Sequence, residues 1–236
     1  MAKNPLVDQD VYPPFDGFPR EGLNFLSKLK KNNNRPWFQK HKTEYEELVR
    51  FPMQCLVVSL GRELAEVAPE FIFDPKRSIF RIYRDVRFSK NKAPYKTNIA
   101  ASFELRGSKS PIELPGLYVG IEPGEIFIGG GVYMPSGEQL KAIRQAIVTR
   151  PADLESILRN AKFKKRFSGI LGDRLQKAPL GYPKDHPQIE HLRLKQFYVG
   201  IETKHTSCYT ATFLDIVSGT FRDALPFIRW LVKATT

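Results

Sequence analysis

The sequence predicts an α+β fold: N-terminal helices, a central, mainly antiparallel sheet and C-terminal helices, in a single domain over residues 18–236 behind a loose arm over residues 1–17. Three observations lead there. Apolar residues recur at helical spacing before Pro75, a block rich in β-branched and aromatic residues runs from Ser78 to Tyr133, and helical spacing returns after Met134-Pro135. No internal repeat, low-complexity tract or linker-like composition interrupts the series.

Pro5, Pro13, Pro14 and Gly17 mark the arm. From Pro19, Leu23, Leu26 and Leu29 recur every three residues beside Phe25, which predicts a helix ended by Asn32-Asn33-Asn34. Asn34 is the N-cap candidate for a second helix through Trp37, Phe38, Tyr45, Leu48 and Val49. Pro36 fits its first turn, where the amide that proline lacks would be unpaired anyway. Phe51-Pro52 bends the chain into a third helix that ends near Val67. Strands are expected over Ser78–Phe88 and Thr97–Leu105, and Gly116–Glu122 with Glu125–Tyr133 reads as a hairpin around Pro123-Gly124. Leu140, Ile143, Ile147 and Val148 set a helix, and Pro151 opens another through Leu154, Ile157 and Leu158. Residues 168–190 carry Gly169, Gly172, Pro179, Gly181, Pro183 and Pro187 and read as loop. A last strand over Leu194–Ile201 precedes a helix over Phe213–Val232, despite Gly219 and Pro226.

The 42% hydrophobic share and 17 Phe residues are too high for disorder, and 236 residues suffice to bury a full core. Cys55 and Cys208 stand apart, suit no zinc spacing and demand no oxidising compartment. The N-terminus lacks the apolar core of a signal peptide, and no stretch approaches the roughly 18 apolar residues of a membrane span. A cytoplasmic protein with no membrane partner and no cofactor is expected. The net charge of +12 favours an acidic partner, such as an anionic small molecule or nucleic acid, and equally describes a solvated basic surface. Composition sets no oligomeric state.

The charge is concentrated. Between Lys76 and Lys96, eight basic residues face a single acid, Asp85, a net +7 in 21 residues, with Phe80, Tyr83, Phe88 and Tyr95 interleaved. On a strand, Arg81, Tyr83, Asp85 and Arg87 share one face, while Phe80, Ile82, Arg84, Val86 and Phe88 share the more apolar other. Arg81 and Arg87 would then stand roughly 20 Å apart, a spacing for a chain of phosphates rather than one. Arginine suits this use because its planar fork matches phosphate oxygens. Ser89–Lys96 is expected to form an exposed turn whose Lys90, Lys92 and Lys96 close over a ligand. The alternative is a structural ion-pair network around Asp85.

The run Phe80-Arg81-Ile82-Tyr83-Arg84-Asp85-Val86-Arg87-Phe88-Ser89-Lys90, followed by Pro94-Tyr95-Lys96-Thr97, resembles the signature of the domain-of-unknown-function 2461 family. Asn33-Asn34-Arg35-Pro36-Trp37-Phe38 resembles the same family, as do Pro123-Gly124 with Gly129-Gly130-Gly131. A further match is Ala178-Pro179 with Gly181-Tyr182-Pro183 and Asp185-His186-Pro187. The resemblance covers about residues 18–232 and implies a stand-alone cytoplasmic domain, with no activity or cofactor to carry over. The chain departs from the pattern at Asn91, where an acid is common, at Glu125, which replaces a glycine, and at Leu180, where a basic residue is usual.

Other chemistry is sparse. The amides of Gly129, Gly130 and Gly131 could cradle an anion ahead of the helix that starts near Ser136, although a close approach of two backbones explains the triplet better. Asp185-His186 invites an acid-base role, but adjacent side chains seldom face each other, and Asp173 and Asp185 could instead pair with the cationic strand. His186 and His191 lack metal-ligand spacing, and no metal site is expected. Lys162, Lys164, Lys165 and Arg166 around Phe163 and Phe167 form a second basic patch. The preferred reading is an anionic, phosphate-bearing ligand, nucleic acid included, held by Arg81, Tyr83, Arg84, Arg87, Lys90, Lys92, Tyr95 and Lys96, with Gly129–Gly131 as a further contact. The alternatives are an enzyme using Asp85, Asp185 or His186 as acid or base, and an interaction module whose arginines pair internally.

Overall fold

The computed structural model describes residues 11–87, 89–107 and 114–235. Among these described residues, ten α-helices and four strands follow the expected order: α1 (Arg20–Lys31), α2 (Arg35–Lys40), α3 (Lys42–Tyr45), α4 (Phe51–Glu63), α5 (Pro75–Ser78), β1 (Ile99–Phe103), β2 (Gly116–Glu122) and β3 (Glu125–Val132). After them come α6 (Gly137–Thr149), α7 (Pro151–Arg159), α8 (Ala161–Arg166), α9 (Ile189–Leu192), β4 (Phe197–Lys204) and α10 (Thr212–Thr235). The strands form one antiparallel sheet in the order β1-β2-β3-β4, which makes the fold α+β. Among the described residues, no helix is long and apolar enough to cross a membrane.

The chain divides into two compact units, the first comprising residues up to 103, 118–127 and 202–219, the second 104–117, 128–201 and 220–236. In the first, Leu23, Phe25, Leu26 and Leu29 bury the inner face of α1, as their spacing requires. Asn34 caps α2, its Oδ1 accepting the Trp37 amide at 3.0 Å. Ahead of α1, Phe15 is buried against Phe18 and Phe213, and its amide donates to Ser59 Oγ on α4.

The helix expected from Asn34 to Val49 is broken. It stops at His41, resumes as α3, and widens into a π-helical turn over Glu46–Arg50, where the Phe51 amide donates to the Glu46 carbonyl. Pro52 explains the widening. It has no amide for Leu48, and its ring would collide with that carbonyl in an ordinary helix. Gly22 of α1 packs against the same Leu48 carbonyl, and a Cβ at Gly22 would overlap the oxygen. From Phe51 the chain continues as α4, whose Met53, Leu56, Val57 and Leu60 are buried.

In the second unit, Ser136 and Gln139 form a reciprocal capping box that starts α6. Phe163 and Phe167 flank the basic face of α8, and both are buried, while Arg166 Nε pairs with Asp223 at 2.8 Å. Residues 168–190 are mostly loop, as expected. The last strand begins at Phe197 rather than Leu194, because Leu194 and Lys195 pair instead with the loop at Arg174 and Asp173. Pro226 lies on the exposed side of α10 and does not end it.

Gly22 carries a direct test. Alanine gains about 1 kcal/mol of helix propensity over glycine, but the Leu48 oxygen is backbone and cannot rotate away. Gly22→Ala should therefore cost about 1–2 kcal/mol net and lower Tm by roughly 2–8 °C in calorimetry. An unchanged or raised Tm would show that the two helical segments part easily.

Candidate functional site

The cationic segment is not a laddered strand. Ser78 belongs to α5, and residues 79–84 pair only loosely with residues 94–101. The pairing consists of two isolated bridges, Ile79 with Ala101 and Tyr83 with Tyr95. Three amides donate across it: Phe80 to the Ala100 carbonyl (3.0 Å), Lys96 to Ile82 (2.8 Å) and Arg84 to Pro94 (2.9 Å). Between the first two of these pairs, Arg81 alone stands opposite Thr97, Asn98 and Ile99. Such a bulge re-aims the side chains around it. Pro94 has no amide to return, which further limits the ladder. The alternation of faces survives without the ladder: Arg81, Tyr83, Asp85 and Arg87 are exposed, Ile82 is buried, and Arg84 and Val86 are half-buried. Phe88 lies outside the described residues.

What holds this hairpin is the segment between α1 and α2. Asn33 grips the backbone of Tyr95 with both atoms of its amide: Oδ1 accepts the Tyr95 N–H at 3.0 Å, and Nδ2 donates to the Tyr95 carbonyl at 2.9 Å. Four residues past the Asn34 cap, Phe38 stacks on the Tyr95 ring at 4.1 Å. The two motifs that looked most distinctive in the sequence are thus one structural unit. Tyr95 is consequently 1% exposed, so its ring is not available to stack on a ligand, contrary to its expected role. Tyr83 stands over it at 5.5 Å and is 48% exposed. Tyr83 also neighbours the buried Tyr45, whose hydroxyl is pushed up to about 12, first by burial and then by the charge of Glu46. Arg35 sits close enough for its charge to act on Tyr95, and the sequence reading passed over it.

The charges sort into two groups. Asp85 accepts from Arg87 Nε at 3.0 Å and Nη2 at 2.8 Å, as well as from the Arg87 amide at 3.2 Å. These bonds to Arg87 hold the Asp85 carboxyl down at about 2, so it is ionised and a weak base near neutral pH. The Asp85 and Arg87 side chains are 46% and 77% exposed, which makes the pair a surface contact. At the tip, Lys92 Nζ donates to the Val86 carbonyl at 3.0 Å, Asn91 Oδ1 accepts the Ala93 amide at 2.9 Å, and Lys90 is exposed.

Arg81 and Lys96 form the second group. Lys96 Nζ lies 4.9 Å from the Phe80 ring, and its pKa is lowered by burial and then by the charge of Arg81. Among the described residues, no carboxylate pairs with Arg81, Arg84 or Lys96. Arg81 also acts on Asp85 through its charge, but two neighbouring cations with no ion pair to a carboxylate among the described residues, one of them partly desolvated, are costly to place together.

Gly129, Gly130 and Gly131 belong to the second unit and lie inside β3. A Cβ at Gly129 or Gly131 would run into the Val199 or Phe197 carbonyl of β4, so their absent side chains let two backbones approach. Also in the second unit, His186 Nδ1 accepts the Gln188 amide at 3.0 Å. That bond, rather than Asp185, sets the imidazole tautomer, and Asp185 is exposed. The Asp173 amide donates to Gln196 Oε1 at 2.7 Å. His191 is held below its usual range by burial. Burial pushes Cys208 up to about 12, and its thiol donates to the His205 carbonyl.

Residues 21–230, nearly the whole chain, match the family described as conserved hypothetical protein, domain of unknown function 2461 (DUF2461). The chain belongs to the DUF2461 family. No curated protein shows significant similarity to it. In this DUF2461 protein, the Asn33–Phe38 stretch and the Arg81–Lys96 stretch meet at Tyr95.

Two variants test this construction. Asn33→Ala removes both bonds to the Tyr95 backbone and should cost about 1–3 kcal/mol, with faster amide exchange at Tyr95 and Lys96. Unchanged exchange there would mean that the aromatic stack alone holds the hairpin. Arg87→Ala should raise the Asp85 midpoint from about 2 toward its ordinary 3.8 in an NMR titration, with little change in Tm. The sign follows from the depressed value: the Asp85 contribution is present above the unfolded midpoint and is lost as pH falls toward 2. A midpoint that stays near 2 in the variant would place the cause elsewhere.

Proposed function

We propose that the hairpin binds a phosphate-bearing ligand through Arg81 and Lys96, with Arg84 at the edge and the Tyr83 ring as a surface for a sugar or base. The observation that carries this reading is the placement of Arg81 beside Lys96 with no ion pair to a carboxylate on either among the described residues, Asp85 acting on Arg81 only through its charge while bonded to Arg87. An arriving phosphate relieves their repulsion and offsets the burial of Lys96. The bulge opposite Arg81 interrupts the ladder there, and Arg81 is exposed. Lys90 and Lys92 extend the positive field toward the tip, so a chain of phosphates gains more than a single one. Arg87 contributes less than the sequence suggested, since Asp85 holds it.

Thermal unfolding with nucleotides, sugar phosphates, single-stranded RNA and heparin tests the proposal. A ligand at about 100 times its Kd adds roughly 2.7 kcal/mol, or about 5–10 °C in Tm for a chain of this size. The shift should shrink steeply with salt for a polyanion and only mildly for a mononucleotide. Arg81→Ala should abolish it while leaving the ligand-free Tm within about 2 °C, because the side chain is exposed. Binding should also take up protons at alkaline pH, since the phosphate raises the lowered pKa of Lys96, and Lys96→Arg should remove that uptake. No stabilisation by any of these ligands, or shifts unchanged in Arg81→Ala, would sink the reading.

A further inference from the structure

A second feature lies in the other unit. Helix α6 buries Ile143, Ala146 and Ile147 and leaves a different face, through Gly137, Lys141, Arg144 and Val148, turned away from that core. Against this face lies the loop around residues 180–186, and between them is a groove of about 460 Å³, within the range of small-molecule sites. Lys141, Arg144 and Val148 line it from the helix, and Leu180, Tyr182 and His186 from the loop.

The charged side chains of the lining are cationic, beside the neutral polar Gln145 and Tyr182. Among the described residues, Arg144 is held by backbone alone: Nε donates to the Leu192 carbonyl at 2.8 Å and Nη2 to the Leu194 carbonyl at 3.2 Å. Two carbonyls fix the plane of the guanidinium without neutralising it, and further N–H groups remain to be used. Its pKa is lowered by burial, with Tyr182 acting in the opposite direction. His186 Nδ1 accepts the Gln188 amide, so the neutral ring carries its proton on Nε2, again a donor. Lys141 is exposed one helical turn before Arg144. No Asp or Glu is among the residues that line the groove. The apolar share comes from Val148, the half-buried Tyr182 and Leu180, whose side chain is fully exposed at 102%. A pre-oriented guanidinium beside a lysine suits an oxyanion, and the apolar wall suits a body attached to it.

We propose that this groove binds a small amphipathic anion, its carboxylate or phosphate head on Arg144 and Lys141 and its apolar body against Val148, Leu180 and Tyr182. This site is separate in its residues from the hairpin, and either can stand without the other.

NMR titration and calorimetry with phenyl phosphate, phenylacetate, inorganic phosphate and benzyl alcohol decide it. Phenyl phosphate or phenylacetate should shift the His186 and Tyr182 ring resonances, and which binds more tightly identifies the head group. Inorganic phosphate should bind roughly tenfold more weakly for want of the apolar contact, and benzyl alcohol should not bind. Lys141→Gln should weaken the aryl anion about fivefold, and Leu180→Ser should narrow its advantage over inorganic phosphate. Arg144→Gln should abolish binding. Arg144→Lys, which keeps the charge, should recover part of it if the fold is intact by circular dichroism. Arg81→Ala should leave every one of these affinities unchanged. No shift at His186 or Tyr182 with millimolar aryl anion, or affinity indifferent to Lys141→Gln, would overturn the proposal. Loss of aryl phosphate binding in Arg81→Ala alone would also overturn it, while leaving the hairpin reading in place.

Discussion

Asn33 holds the first unit's most charged element in place. Its side-chain amide presents to the Tyr95 backbone the donor and acceptor that a neighbouring strand would otherwise supply. The cationic hairpin has few bonds of its own, because a bulge and a proline interrupt its pairing. A half-buried backbone without such a partner would have to keep its water, at a cost comparable to a lost hydrogen bond. Once Tyr95 is fixed, its ring closes over Phe38, Tyr83 is set above it, and Arg81 and Lys96 are brought together on either side of the bulge.

That arrangement works against stability. Two cations are neighbours with no ion pair to a carboxylate among the described residues, and the single acid of the stretch is bonded to Arg87 at the exposed tip. Lys96 bears the cost as a lowered pKa, a penalty that fades as pH rises toward its ordinary 10.5 because the unfolded chain then holds the proton longer than the folded one. Under the proposed function, that local repulsion is what an arriving anion would relieve.

The second unit handles its polar groups differently. There, backbone carbonyls and amides orient the side chains: two carbonyls hold Arg144, and the Gln188 amide selects the tautomer of His186. The glycine triplet serves the sheet, since any side chain on Gly129 or Gly131 would push β4 away. The close approach of two backbones, which explained the triplet better than an anion cradle from the sequence alone, is what it serves inside the strand.

Much of this was legible in the sequence, for physical reasons that act over a few residues. Leucine spacing placed α1, the Asn34 side chain reached its own helix three residues on, Pro123-Gly124 turned β2 into β3, and period-two alternation exposed Arg81, Tyr83, Asp85 and Arg87 even without a ladder. Pro52 was read as a bend, but the π turn it produces required knowing that Gly22 offered room for the Leu48 carbonyl. The burial of Tyr95, the grip of Asn33 from 62 residues away, the tautomer of His186 and the meeting of Arg81 with Lys96 were decided by tertiary packing. A cap or a turn is satisfied by neighbours in the chain, whereas a partner across tens of residues is chosen only when the whole fold closes around it.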